Sequence, residues 1–181
     1  MIGTANTRES NFGWVRPLGW GAAGMLLLAP LIAMNVAPDS GVNWTAGDFL
    51  FASLMFGTVG LLVELAVRAS SDWSYRIAAM IAVGTGFLLV WANLAVGYIG
   101  DGSSAINLAF LAIPPVALLF SVLVRFRAPQ MAWVMGAAAA AHAITGAIGY
   151  PLDTRTGPIT IVFTLLWLGA ALLFRKSAGR A

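Results

Sequence analysis

A chain of 181 residues that is 60% hydrophobic and 9% charged, with a mean hydropathy of +0.86, cannot cover its apolar surface as a water-soluble domain, whose charged share is roughly 25%. The absence of Cys excludes disulfides, thiolate metal sites and cysteine nucleophiles, and the single Lys, Lys176, leaves no amine inside the apolar segments for a Schiff base. Ten Lys and Arg against seven Asp and Glu make the chain basic, but the cations are scattered among short connectors, a pattern of membrane topology rather than of nucleic-acid binding.

In chain order, residues 1–16 are polar, contain Glu9 and lack a short apolar run ending at a small-residue cleavage site, so they read as a cytoplasmic tail rather than a signal peptide. Six segments then approach the ~20 apolar residues a crossing helix needs: 18–37, 48–68, 76–99, 105–124, 130–150 and 158–174. The connectors between them are rich in Gly, Pro, Asp, Asn and Ser, as turns are, and none is long enough for a soluble domain. The expectation is an all-α membrane protein: one domain over residues 17–176, a six-transmembrane-helix bundle, with a short C-terminal tail at 177–181. Six crossings put Arg8, Arg16, Arg68, Arg76, Arg125, Arg127, Arg175, Lys176 and Arg180 on one side, leaving Arg155 with Asp39, Asp48, Asp101 and Asp153 on the other. By the positive-inside rule both termini are cytoplasmic and the acidic loops face outward. Trp20, Trp44, Trp73 and Trp133 fall near span ends, where indoles settle at the headgroup level.

Small residues recur in the spans, most densely in MAWVMGAAAAAHAITGAIGY of the fifth, which predicts a central helix with neighbours pressed around it, or a dimer face. Pro114–Pro115 near the middle of the fourth span removes two backbone donors and predicts a kink or break at mid-membrane. Asp48 reads as the N-cap of the second span. Glu64 lies four residues before Arg68, the favourable order for a local ion pair, with ion coupling as the sharper alternative.

Given that topology, the polar residues of the spans gather in the outer half: Asn35, Asn93, Asn107, His142, Thr145, Thr160 and Thr164. Polar groups at such depth face the bundle interior. Asn35, Asn93, Asn107 and His142 are therefore candidates for one cluster beneath the Asp101 and Asp153 loops, with Trp91 close by. Such a cluster either ties helices together or forms an outward-facing pocket. His142 is also a candidate for proton transfer or as a haem ligand; a second axial ligand would have to come from Met34, Met55, Met80 or the His of a second copy. No GxSxG, HExxH or nucleotide-binding glycine loop occurs, so no catalytic or metal residues are assigned.

The run VWANLAVGYIGDGSSAINLAF, with GDFLFASLMFGTVGLLVELAVR and SYRIAAMIAVGTGFLLVW before it, resembles a group of small uncharacterised bacterial inner-membrane proteins with a WxNxAVGxIG stretch. The likeness covers roughly residues 47–127 and implies a bacterial polytopic membrane protein; it implies no activity. It singles out Trp91, Asn93, Gly97, Gly100 and Asn107, while Gly-Asp-Gly-Ser-Ser replaces a more amide-rich turn. The leading functional expectation is a non-enzymatic accessory or binding protein that holds a lipid, small molecule or partner helix at the outer-half cluster. The alternatives are a small-solute transporter or channel using the Pro114–Pro115 break, and a redox protein with a cofactor on His142. The bilayer, a membrane partner or a second copy are the expected partners.

Overall fold

The computed structural model describes residues 15–100 and 104–180, with the backbone alone for residues 15–18 and Val96. The tail with Arg8 and Glu9, and Asp101, lie outside the described residues. Six α-helices are present: α1 (Val15–Val36), α2 (Ala46–Ala69), α3 (Trp73–Val96), α4 (Ile106–Leu123), α5 (Ala128–Gly149) and α6 (Thr156–Ala178), with a 3₁₀ turn at Pro38–Ser40. Each is long and apolar enough to cross a membrane, and large apolar side chains such as Met25, Leu54, Trp133 and Leu172 point outward. Among the described residues the chain is all-helical, and its six helices are those of a multi-pass membrane protein.

Local chemistry explains where the helices start and stop. Thr45 caps α2 and Asp48 is its partner in a capping box: the Asp48 carboxylate accepts from the Thr45 N–H at 2.7 Å and its hydroxyl at 2.8 Å, while Asp48 N–H donates to Thr45 Oγ1. The N-cap role expected of Asp48 thus belongs to Thr45. Asp72 caps α3 by accepting from Tyr75 N–H at 3.0 Å, which starts that helix at Trp73 rather than at residue 76. That bond holds the Asp72 carboxyl below its usual range, with the nearby Arg180 guanidinium adding to the effect. Gly97, at φ 73°, ends α3 at Val96, before the expected residue 99. At the far end α6 continues to Ala178, with Arg175 and Lys176 in its last turn, where cations favour a helix C-terminus.

Cα packing groups the chain into two compact units, Met1–Gly60 and Leu61–Ala181. In the first, Trp20 of α1 lies over Gly60 of α2 so closely that a Cβ there would sit 2.6 Å from the indole. Across the connection, Trp44 N–H donates to Met34 Sδ at 3.4 Å. In the second unit, α3 packs on α4 and α6, and α5 packs on α4 and α6, so the four helices close a ring. Neighbours run antiparallel. Asn93 meets Asn107 and Tyr98 meets His142 at one end, while Tyr75 meets Phe174 and Arg180 meets Asp72 at the other. The C-terminal turn of α2 is tied to α3 by Arg76, which donates to the carbonyls of Ser70 at 2.8 Å and Val67 at 3.1 Å.

The fifth helix is one wall of this ring, where a central position was expected: Trp133, Ile144 and Ile148 face outward while Met135, Ala138, Ala139, His142 and Gly146 face inward. Its small residues serve close approaches, of Gly149 to Ile99 and of Gly146 to α6. A Cβ on Gly146 would lie 2.8 Å from the Cβ of Thr160. The expected break at Pro114–Pro115 is also absent, for α4 passes through both prolines as one helix. Proline's fixed φ is helical, and Gly86 of α3 offers no side chain where Pro114 packs, a Cβ there being 3.4 Å from Pro114 Cβ. At the other end of α4, Arg125 and Phe126 take φ of 56° and 55°, ordinarily glycine conformations. Phe126 N–H closes back on the Ser121 carbonyl, and the Phe126 carbonyl accepts from the Tyr75 hydroxyl at 2.7 Å, which holds the turn.

The two glycines separate in a substitution test. Gly146→Ala should destabilise the protein by about 1–3 kcal/mol, because the branched Thr160 side chain cannot swing away within a helix. Gly86→Ala meets only ordinary contacts and should be neutral or gain up to ~1 kcal/mol from helix propensity. Thermal unfolding in lipid nanodiscs reads both; equal losses would contradict the packing described.

Candidate functional site

The site is built by the connection between α3 and α4. Gly97 and Gly100, at φ 73° and 63°, turn the chain out of the helix and back, and between them Tyr98 and Ile99 are buried rather than exposed to solvent. Asn107, one residue into α4, makes this possible. Its Oδ1 accepts from the N–H of Tyr98 at 3.1 Å and of Ile99 at 2.8 Å, and its Nδ2 donates to the Ile99 carbonyl at 3.0 Å. One side chain thereby satisfies three backbone groups that lipid or a packed interior would leave stranded. Asn93 adds a bond from its Nδ2 to the Asn107 carbonyl at 3.1 Å, and Asp153 in the next connection accepts from Gly100 N–H at 3.3 Å.

Held in this way, Tyr98 points into the ring of helices. Its hydroxyl lies 3.0 Å from Nε2 of His142, which is fully buried. Phe110 stacks on Tyr98 with centroids 4.0 Å apart, and Phe110 and Phe163 stand 5.1 and 5.6 Å from the imidazole. The result is an aromatic box with one hydrogen-bonded pair at its centre. Burial pushes the Tyr98 hydroxyl up to about 12, with the hydroxyl of Thr160 nearby pulling weakly the other way. The two hydroxyls fall short of hydrogen-bond geometry.

Several polar atoms in this interior have no hydrogen-bond partner: His142 Nδ1, Thr160 Oγ1, Thr164 Oγ1 and Trp167 Nε1. Whichever tautomer His142 adopts, its second nitrogen is left unsatisfied, and an unpaired buried group costs roughly 1–3 kcal/mol. The box therefore offers a hydrogen bond to an incoming molecule. No charged residue takes part in it.

The structure brings Asn93, Asn107 and His142 to the same end of one unit but gives them unequal roles. Asn107 is consumed by its own loop, and Asn93 supports it. Of the three, His142 is the one with a buried side-chain nitrogen left without a partner. Asn35 lies in the other unit, exposed, and donates to the Leu31 carbonyl of its own helix at 2.8 Å. Trp91 stacks on Phe87 with centroids 6.0 Å apart and is 37% exposed, outside the box. Glu64 accepts from Arg68 Nε at 2.7 Å, the local ion pair the spacing predicts. Of the methionines considered as axial ligands, Met34 accepts the Trp44 N–H and Met80 is 45% exposed. Among the described residues no group of three His, Asp or Glu side chains is placed to hold a metal.

The sequence reading missed Tyr98, Phe110 and Phe163. The signal for Tyr98 was present: an aromatic between two glycines just past a helix end cannot continue that helix's lipid face.

Asn107→Leu leaves three buried backbone groups unpaired, whereas Asn93→Leu removes only a second bond to the Asn107 carbonyl, which lies within α4. The first variant should lose at least about 2 kcal/mol more stability than the second, read by thermal unfolding. Tyr98 should also give an alkaline signature. Its neutral form is favoured by the fold, so its contribution is complete below pH 10, the value of an unburied tyrosine, and is lost as pH rises through about 12. Ultraviolet titration should show a late phenol component that ionises only as the protein loses its packing, and Tyr98→Phe should diminish it. No protein-family model, curated protein or solved structure matches this chain, and the chemistry of the site is read from its own atoms.

Proposed function

We propose that this chain is a non-enzymatic, multi-pass membrane protein that binds a small uncharged molecule in the Tyr98–His142 box. The observation that carries this reading is the fully buried imidazole of His142, tied by Nε2 to Tyr98 and left with an unpartnered Nδ1. Three aromatic rings supply apolar contact, and the free nitrogen and the Thr160 hydroxyl supply orientation, the usual composition of a small-molecule site. A charged ligand would have no counter-charge in the box, and an ion without one is costly to bury. In a bacterial inner membrane with both termini inside, as the basic connectors favour, the box lies in the outer half of the bilayer.

The alternatives draw less support. Transport through a broken fourth helix lacks the break, and Glu64 is occupied by Arg68. A cofactor on His142 would need a second ligand, and Met80, the considered methionine of the same unit, is 45% exposed.

Native mass spectrometry of protein released in mild detergent, with a visible spectrum of the same sample, tests the proposal. Mass beyond the chain that is retained by the wild type and lost in His142→Phe is the expected result. A bare chain in both would overturn it, and a visible band lost with His142 would replace it with the cofactor reading.

A further inference from the structure

We propose that the ring of α3–α6 carries a file of water molecules along the inner face of α6, from Thr160 at the Tyr98 end to the indole of Trp167, where it stops. The hydroxyls of Thr58, Thr85, Ser121 and Thr145 all sit inside helices and donate to the carbonyl four residues back, at 2.6–2.8 Å. That is how an isolated hydroxyl is satisfied in a membrane helix. Thr160 and Thr164 are helical too, yet neither takes this bond, and both hydroxyls are buried without a partner.

Their placement is ordered. Thr160, Thr164 and Trp167 follow one another at four and three residues, on one face of α6, and so span about 10 Å along the helix. The close approach of Gly146 to Thr160 and the contact of His142 with Phe163 set the antiparallel register of α5 on α6. That register brings His142, with its free Nδ1, level with Thr164. Water oxygens spaced about 2.8 Å apart would cover the distance with three or four molecules, each within reach of a protein polar group.

The facing walls carry small residues: Ala139 on α5, and Gly86 on α3, which packs against Pro114 and the Trp167 ring. Trp167 Nε1 can only donate, so it terminates the chain of hydrogen bonds. Beyond it the buried side chains are Ala170, Ala171 and Phe174, which offer water nothing. The file is thus closed at its inner end: it hydrates half of the bundle and crosses none of the other half.

The inference shares His142 and Thr160 with the proposed binding site but stands without a bound solute. It is tested by hydrogen–deuterium exchange of the Trp167 indole, observed by NMR in nanodiscs and assigned with Trp167→Phe. Although Trp167 is 2% exposed, its indole proton should exchange about tenfold faster in the wild type than in Thr160→Val/Thr164→Val, with backbone protection in α6 unchanged. Thr85→Val, which removes a hydroxyl already bonded to its own helix, should leave the rate alone. A wild-type indole as protected as the α6 core amides, or a rate indifferent to the valines, would overturn the proposal. If the double variant does not fold, a water-to-indole cross-peak in the wild type decides by its presence or absence. A chain bare of solute with a fast-exchanging indole would sink the binding reading and leave the water file standing.

Discussion

The amide of Asn107 is the contact on which the rest of the site depends. A membrane offers no water to exposed backbone groups, so a connection that dips inward must bring its own partners, and Asn107 supplies three bonds from one short side chain. With those groups satisfied, Tyr98 and Ile99 can leave the surface. Ile99 then fills the space over Gly149, and Tyr98 reaches the imidazole of His142. Without that amide the loop would have to open outward to find water, and the aromatic box would lose the ring that anchors it.

Chemistry is distributed unevenly along the second unit. One end collects the amides, the tyrosine–histidine pair and the unsatisfied hydroxyls. The other collects apolar packing, with Tyr75 against Phe174 and alanines at most close approaches, edged by the Asp72–Arg180 pair and the exposed basic residues. Tyr75 does for this end what Asn107 does for the other. Its hydroxyl takes the one carbonyl, that of Phe126, which a turn of two non-glycine residues at positive φ leaves pointing inward. Polar capacity is therefore fully used at the basic end and in surplus at the Tyr98 end.

The helices were legible in the sequence because length and hydropathy register in every residue of a span, whereas their ends shifted where a cap or a glycine decided the matter, as at Asp72 and Gly97. The local ion pair of Glu64 was also legible, since it depends only on helical spacing. What could not be read was division of labour. Asn107 and His142 look equally available as letters, but the backbone of residues 98 and 99 absorbs one and not the other. Asn35 was grouped with them on depth alone, which says nothing about which helix lies beside it. Pro114–Pro115 suggested a kink or break because the sequence shows the missing donors, whereas α4 continues through both prolines, whose fixed φ is itself helical.

The closed ring also sets an order of assembly. Helix α3 has α6 as a neighbour, yet α4 and α5 intervene in the chain, so this seam forms only after the helices between have been made. Until then Ala78, Ala82 and Leu89 of α3 face lipid, the aromatic box lacks Phe163, and His142 has one wall missing. Docking α6 shuts that wall, and the clasp of Arg180 on Asp72 and Ser74 fastens the far end. The interior of this unit is thus most exposed to the bilayer in the interval before α6 arrives.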